Sequence, residues 1–206
     1  VLAARSPMAG AKSTVLILSG DVPLARAETL RALIEKHHAD NASCTMLAVR
    51  LENPTGYGRI VRTEDDRFLK IVEQKDATVL ERQIREVNAG IYCFDSKKLF
   101  AALERVRPTN SQGEYYLTDV PGILRDDQEQ ISVYQHHDAR EVSGVNTRAE
   151  LAEFENLLRR GTIRRLMLDG GVTFIDPSNA YISNEAQVGR DCIIHPDVHI
   201  EGQSVI

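Results

Sequence analysis

The stretch Val15-Leu16-Ile17-Leu18-Ser19-Gly20-Asp21-Val22-Pro23 decides the fold class. Four apolar residues in a row, closed by turn formers, read as a strand buried on both faces, as in a sheet covered by helices. Gly20 and Pro23 end it. Working outward, helix and strand patterns alternate. Ala27 to His38 places Leu30, Leu33 and Ile34 at helical spacing. Cys44 to Leu51 reads as the next strand. Arg59 to Arg62 and Phe68 to Val72 read as a strand pair around Glu64-Asp65-Asp66. Gly90 to Phe94 and Ile131 to Tyr134 read as further strands. Lys97 to Val106 and Tyr116 to Leu124 read as helices, and Val1 to Ala9 as the tail of another. This alternation predicts an α/β fold, a mainly parallel sheet with helices on both faces.

A chain of 206 residues buries roughly 70% of its unfolded surface, enough for one sizeable core without staples. Hydrophobic residues make up 42% and charged residues 27%, which excludes the disordered class. The net charge of −5, no Trp and 5% aromatics argue against a nucleic-acid partner. Cys44, Cys93 and Cys192 lie far apart with no CxxC, so we expect reduced thiols, buried fillers in a cytoplasmic protein. No apolar run approaches the ~20 residues of a membrane span. Val1 to Ala11 lacks the features of a signal peptide. The chain opens without Met and stops in mid-pattern, so both ends read as cut.

Beyond the alternating region the pattern changes. Leu151, Phe154, Leu157, Leu158, Ile163, Leu166 and Met167 follow helical spacing, with Gly161 as a possible interruption and Gly170-Gly171 as the stop. The reading is a long connecting helix, residues 148–171. Then Ile182, Val188, Ile194, Ile200 and Ile206 recur every sixth position, with Ala186, Cys192, Val198 and Ser204 four places after the first four. That is the hexapeptide pattern of a parallel β-helix, residues 172–206. A solenoid of one and a half coils cannot bury its own core.

Several residue groups carry chemistry. Asp21 directly follows a buried strand, where open α/β sheets bind ligands. A carboxylate there suits Mg²⁺ held by few protein ligands and by substrate phosphates; an Asp in that place equally caps a turn. Gly56-Tyr57-Gly58-Arg59 is a glycine-bearing loop able to cradle a sugar or phosphate, or a plain turn. Glu73 and Asn88 flank a charged excursion and pair a carboxylate with an amide, groups suited to sugar hydroxyls and an acetamido group. Gly113 to Asp119 resembles the start of a helix, and Asn146 or Thr147 can cap the long helix. His37-His38 and His136-His137 read as exposed pairs. His195 and His199 read as solvent-facing turn residues. Arg159-Arg160 and Arg164-Arg165 read as a wet helix face or contacts to a partner subunit.

Taken in order, the segments 18–24, 53–60, 71–77, 87–91, 113–119 and 144–146 closely resemble one family, the bacterial bifunctional N-acetylglucosamine-1-phosphate uridylyltransferase / glucosamine-1-phosphate N-acetyltransferase. The resemblance covers essentially the whole chain. It implies a Rossmann-like nucleotidyltransferase domain over 1–147, joining UTP to N-acetylglucosamine 1-phosphate to give UDP-N-acetylglucosamine and pyrophosphate. It implies Asp21 and Asn146 as Mg²⁺ ligands. Gly58, Glu73 and Asn88 match residues holding the N-acetylglucosamine part, Tyr116 and Thr118 match further substrate contacts, and Gly20 lies against the nucleotide sugar. Ser19 stands where some members have Tyr.

It further implies a left-handed β-helix, a homotrimer in the full-length parent, and cytoplasmic peptidoglycan-precursor and lipopolysaccharide synthesis. The family's phosphate loop and uridine site do not precede Val1, and its acetyltransferase residues lie beyond Ile206. On that basis little activity and some self-association are expected of this stretch alone. Two other readings remain: a nucleotidyltransferase for another sugar 1-phosphate, and a non-catalytic oligomerising scaffold.

Overall fold

The computed structural model describes residues 1–6, 13–145 and 147–206. It divides into two compact units, Val1–Gly144 and Val145–Ile206. Among the described residues no helix is long and apolar enough to cross a membrane.

The first unit is built around one long strand. Its elements are β1 (Thr14–Ile17), α1 (Ala27–Ala39), β2 (Cys44–Arg50), β3 (Arg59–Arg62), β4 (Phe68–Val72), β5 (Glu86–Asp95), α2 (Ser96–Leu103), α3 (Val120–Asp126) and β6 (Ile131–His136). The strand order is β4-β3-β5-β2-β6, with β1 also on β5. β5 runs antiparallel to β1, β2 and β3, while β2 and β6 are parallel. The expectation of a mainly parallel sheet is therefore corrected: the sheet is mixed. The alternation did capture β1-α1-β2, whose strands share one direction. It missed that β5 inserts between them the other way. An apolar run shows that a strand is buried, not which way it points.

β5 alternates between two cores. Tyr92 and Phe94 join Met46, Ile60 and Phe68 beneath Leu99 of α2 and Leu124 of α3. Ile91 and Cys93 join Leu47 and Val49 beneath Leu33 of α1. Both faces are covered, so these strands read as continuous apolar runs. β3 and β4 form a hairpin whose turn closes with a 2.8 Å bond from Thr63 N to Arg67 O. The helix expected from Tyr116 starts later, with a 3-10 turn at Leu117–Asp119 before α3. Pro121 sits in the first turn of α3, where its missing N–H costs nothing. At the start, Leu2–Ala4 is a 3-10 turn, and residues 7–9 of the expected helical tail lie outside the described residues.

Two histidine expectations are corrected. His37 is 4% exposed and its Nδ1 lies 3.0 Å from Thr45 Oγ1, because its place on α1 faces β2. His136 is mostly covered and bonded to Glu141.

In the second unit, α4 (Arg148–Leu168) runs unbroken through Gly161. Thr147 is its N-cap, in a reciprocal capping box with Glu150. Four two-residue strands follow: β7 (Thr173–Phe174), β8 (Tyr181–Ile182), β9 (Ile193–Ile194) and β10 (His199–Ile200). They pair in parallel, β7 with β9 and β8 with β10. Tyr181 meets His199 and Gln187 meets Val205, each eighteen positions on, or three hexapeptides. Ile182, Ala186, Ile194 and Ile200 turn inward with Ile163 and Leu166 of α4, while Ile206 stays exposed. His199 lies in β10, not in a turn, and stacks on Tyr181 at 4.5 Å between ring centroids.

Candidate functional site

Gly58 immediately precedes β3, which pairs with β5 at Arg59 and Val87. The Asn88 amide donates to the Gly58 carbonyl at 2.9 Å, which pins the glycine loop to the central strand. A Cβ on Gly58 would lie 3.2 and 3.3 Å from the two Glu73 carboxylate oxygens and 3.1 Å from Ile71 Cγ2. The Gly58 backbone therefore lies directly against the Glu73 carboxylate, a close approach that a side chain would disturb. Glu73 follows the last residue of β4 and is half-buried. Burial pushes its carboxyl up; a hydrogen bond with Thr118 pulls it down, Asp76 and Asp119 push it up, and Arg59 pulls it down.

Asn88, in β5, is 8% exposed and its Oδ1 accepts from the Gly90 amide at 3.1 Å. With the oxygen engaged inward, the amide's donor protons are left for other partners. Among the described residues no hydrogen bond of ordinary geometry reaches the buried Tyr92 hydroxyl. Burial and Cys44 push its pKa up, and the neighbouring Asn88 carboxamide opposes them.

Gly90 joins this half of the site to the turn after β1. Its φ is +72°, and a Cβ there would lie 2.5 Å from Ser19 Oγ. Ser19 Oγ donates to the Gly90 carbonyl at 3.3 Å. Gly90 thus holds Asn88 through its N–H and Ser19 through its carbonyl. Gly20 has open space where a Cβ would stand, so a ligand can approach that backbone. Asp21 is exposed and makes no hydrogen bond or ion pair with a described residue. Its Oδ2 stands 3.0 Å from where a Gly144 Cβ would be. An exposed, hard carboxylate oxygen at a strand-end turn fits a Mg²⁺ ligand. Asn146 lies outside the described residues.

A third edge comes from the loop before α3. The Ser111 amide donates to Asp76 Oδ1 at 2.9 Å. Lys75 donates to Gln112, and Gln112 donates to the Tyr116 hydroxyl. These ties bring Tyr116 and Thr118 to the Glu73 side. The structure thus joins Ser19, Asn88, Gly58, Glu73 and Thr118 through one chain of contacts. Among the described residues no group of three His, Cys, Asp or Glu side chains forms a metal cluster.

Sequence reasoning placed Arg59 in the glycine-bearing loop but missed that it is a buried part of this floor. Its side chain is 1% exposed, with donors to Tyr57 O and, at 2.6 Å, to Gln74 Oε1, while Nε has no partner. The signal was present: an Arg directly after Gly58, opening a strand whose next two residues are Ile60 and Val61.

This mixed sheet, with a glycine loop and a carboxylate–amide pair at one end, is a nucleotidyltransferase architecture. The nucleotidyl transferase family model matches residues 1–160, and the chain belongs to that family. It is 50% identical over 206 residues to the bifunctional protein GlmU of Geobacter metallireducens, covering 100% of this chain and 43% of that protein. Against the bifunctional protein GlmU of Alkaliphilus metalliredigens it is 47% identical over 195 residues, covering 95% of this chain and 42% of that protein. The chain thus spans less than half the length of these relatives. A solved structure of CMP:2-keto-3-deoxy-manno-octonic acid synthetase complexed with CTP shares the fold, with a TM-score of 0.55 and 15% identity, over 78% of this chain and 66% of that one.

Proposed function

We propose that this chain supplies the sugar-binding part of a site that joins UTP to N-acetylglucosamine 1-phosphate, giving UDP-N-acetylglucosamine and pyrophosphate. The observation that carries the reading is the Glu73 carboxylate lying against the Gly58 backbone and bonded to Thr118, with Asn88 tied to the same glycine. A charged acceptor beside an oriented amide donor complements sugar hydroxyls and an acetamido carbonyl. Glu73 accepts from hydroxyls, Asn88 donates to the acetamido oxygen, and Gly58, having no side chain, lets the Glu73 carboxylate stand against its backbone. Tyr116 and Thr118 close one side. Ser19 and Gly20 lie along the path to the phosphates.

Asp21 and, by the family resemblance, Asn146 would hold Mg²⁺, which when bound neutralises phosphate charge. Asp21 is suited to this because its carboxylate is exposed and, among the described residues, makes no hydrogen bond or ion pair. Catalysis in such a transfer is mostly positioning and charge neutralisation.

The domain proposal keeps 1–147 as the uridylyltransferase part and 148–171 as the connecting helix. It takes 172–206 as the first coils of a left-handed β-helix, belonging to an acetyltransferase domain that forms trimers in the cytoplasm. The eighteen-residue parallel offsets and inward isoleucines support that reading.

Isothermal titration of this chain with UDP-N-acetylglucosamine and UDP-glucose tests the substrate. We expect the acetamido sugar to bind at least ~10-fold tighter, the effect of about 1.4 kcal/mol from one hydrogen-bonded group. Equal binding favours another sugar 1-phosphate. Binding of neither favours the scaffold reading.

A further inference from the structure

The carboxylate of Glu141 is 4% exposed and belongs to no part of the site described above. It lies in a 3-10 turn, Ala139–Val142, three residues before Gly144. Its Oε1 accepts from the Arg26 amide at 2.9 Å, and its Oε2 lies 3.0 Å from His136 Nε2. The Arg26 guanidinium stands 3.9 Å from Oε2, and the Thr29 side chain also bonds the carboxylate. Arg26 is the N-cap of α1 and has no cap from its own side chain, so Glu141 serves that helix terminus from 115 residues away.

Glu141 and these partners together join three separate segments. One is the stretch that leaves Asp21 and enters α1 five residues later at Arg26. Another is the end of β6, at His136. The third is Glu141's own turn, which leads to Gly144 and is itself held by Asp138 on Arg140 N at 3.1 Å and Ser143 Oγ on Ala139 O at 2.7 Å. The first and third segments meet again where the Asp21 carboxylate rests against Gly144. One buried carboxylate therefore grips both arms that converge on Asp21.

We propose that Glu141 is a positioning residue for the Asp21 site, fixing the Asp21 turn and the Gly144 segment at the spacing a cation there requires. For stability alone, an apolar residue of similar volume fills such a place as well or better, because a buried charge loses its hydration. A carboxylate instead accepts several donors at once and fixes their mutual geometry. The metal part of this inference rests on the reading of Asp21 as a ligand; the positioning part does not.

The test uses this chain with Glu141→Gln, which keeps the shape and removes the charge, and Glu141→Asp, which keeps the charge and shortens the reach. Amide hydrogen exchange by NMR reads positioning without any metal. We expect the hydrogen-bonded amides of Arg26 and Ser143 to exchange at least ~10-fold faster, while those within β2 and β5 stay within about twofold. An unchanged Arg26 and Ser143, or acceleration spread equally over β2 and β5, overturns the proposal. So does failure of both variants to fold, which would make Glu141 a folding residue only. Mn²⁺ titration supplies the second readout. It should broaden the signals near Asp21 and Gly144 in the wild-type chain, not in Asp21→Asn, and with at least ~5-fold weaker affinity in both Glu141 variants. Equal Mn²⁺ affinity in the Glu141 variants overturns the metal half. If the wild-type signals near Asp21 do not broaden, the ligand reading of Asp21 fails, and the exchange data decide the role of Glu141.

Discussion

Gly90→Ala puts the link between the two halves of the site under load. Gly90 has a φ of +72°, and the added Cβ would stand 2.5 Å from Ser19 Oγ but 3.6 Å from Ser19 Cβ. The backbone conformation alone costs a residue with a Cβ about 1–2 kcal/mol. The contact at 2.5 Å forces the Ser19 hydroxyl to rotate away and give up its 3.3 Å bond to Gly90 O. That loss adds about 0.5–1.5 kcal/mol. The sum is a destabilisation of about 1.5–3.5 kcal/mol. The Ser19 Cβ distance is an ordinary contact, so Ser19→Ala should cost almost nothing further once Gly90→Ala is present. On its own Ser19→Ala should cost about 0.5–1.5 kcal/mol. Urea unfolding of the four species, followed by near-UV circular dichroism through the buried tyrosine Tyr92, gives the cycle. A Gly90→Ala cost below about 0.5 kcal/mol, or strictly additive effects, would refute the argument that Gly90 must be free of a side chain to hold Ser19 and Asn88 together.

Other perturbations follow from the same geometry. Thr147→Ala removes one half of the capping box on α4 and should lower the stability of the second unit by about 1 kcal/mol, read as a lower far-UV melting temperature. Glu73 has its folded pKa raised by burial, so its charge weakens the fold once the pH rises through that value. Glu73→Gln should therefore raise the urea midpoint at neutral pH while weakening nucleotide-sugar binding; a lower midpoint contradicts the burial argument. Glu81 behaves oppositely. Its bonds to Lys70 and to the Thr78 backbone and hydroxyl pull its pKa from 4.5 down to about 2, so its contribution is present above 4.5 and disappears as the pH falls toward about 2. Acid unfolding of Glu81→Gln should show a shallower loss of stability across that interval than the wild-type chain.

Much of the fold was legible because burial on both faces writes itself as apolar runs. Val15 to Leu18, Cys44 to Leu51 and Ile131 to Tyr134 each mark a strand, to within a residue or two. The α4 helix was legible to its ends, since Thr147 and Glu150 bracket its first turn and Gly170-Gly171 follows its last. Strand direction was not legible. Nothing in Val87 to Phe94 says that β5 inserts against β1 and β2. His37 misled because a histidine near a helix end resembles a surface residue, yet its neighbour across the space is Thr45.

The site divides similarly. Glu73 and Asn88 stand out as a carboxylate and an amide at strand ends, but their meeting at Gly58 is a product of register. β3 and β5 pair at Arg59 with Val87. Glu141 was silent, and Arg59 was read only as part of a loop, because a buried charge looks, in one sequence, like any exposed one. Their partners, Arg26 and Gln74, are identified only by the fold.

The central claim is that Glu73 and Asn88 hold a sugar against the Gly58 backbone. Diffraction from crystals of this chain soaked in N-acetylglucosamine 1-phosphate tests it directly. The account predicts sugar hydroxyl oxygens within hydrogen-bond distance, about 2.5–3.0 Å, of the Glu73 carboxylate, and the acetamido oxygen on Asn88 Nδ2. A sugar bound elsewhere on the chain, with Glu73 still engaged only by Thr118, would contradict it.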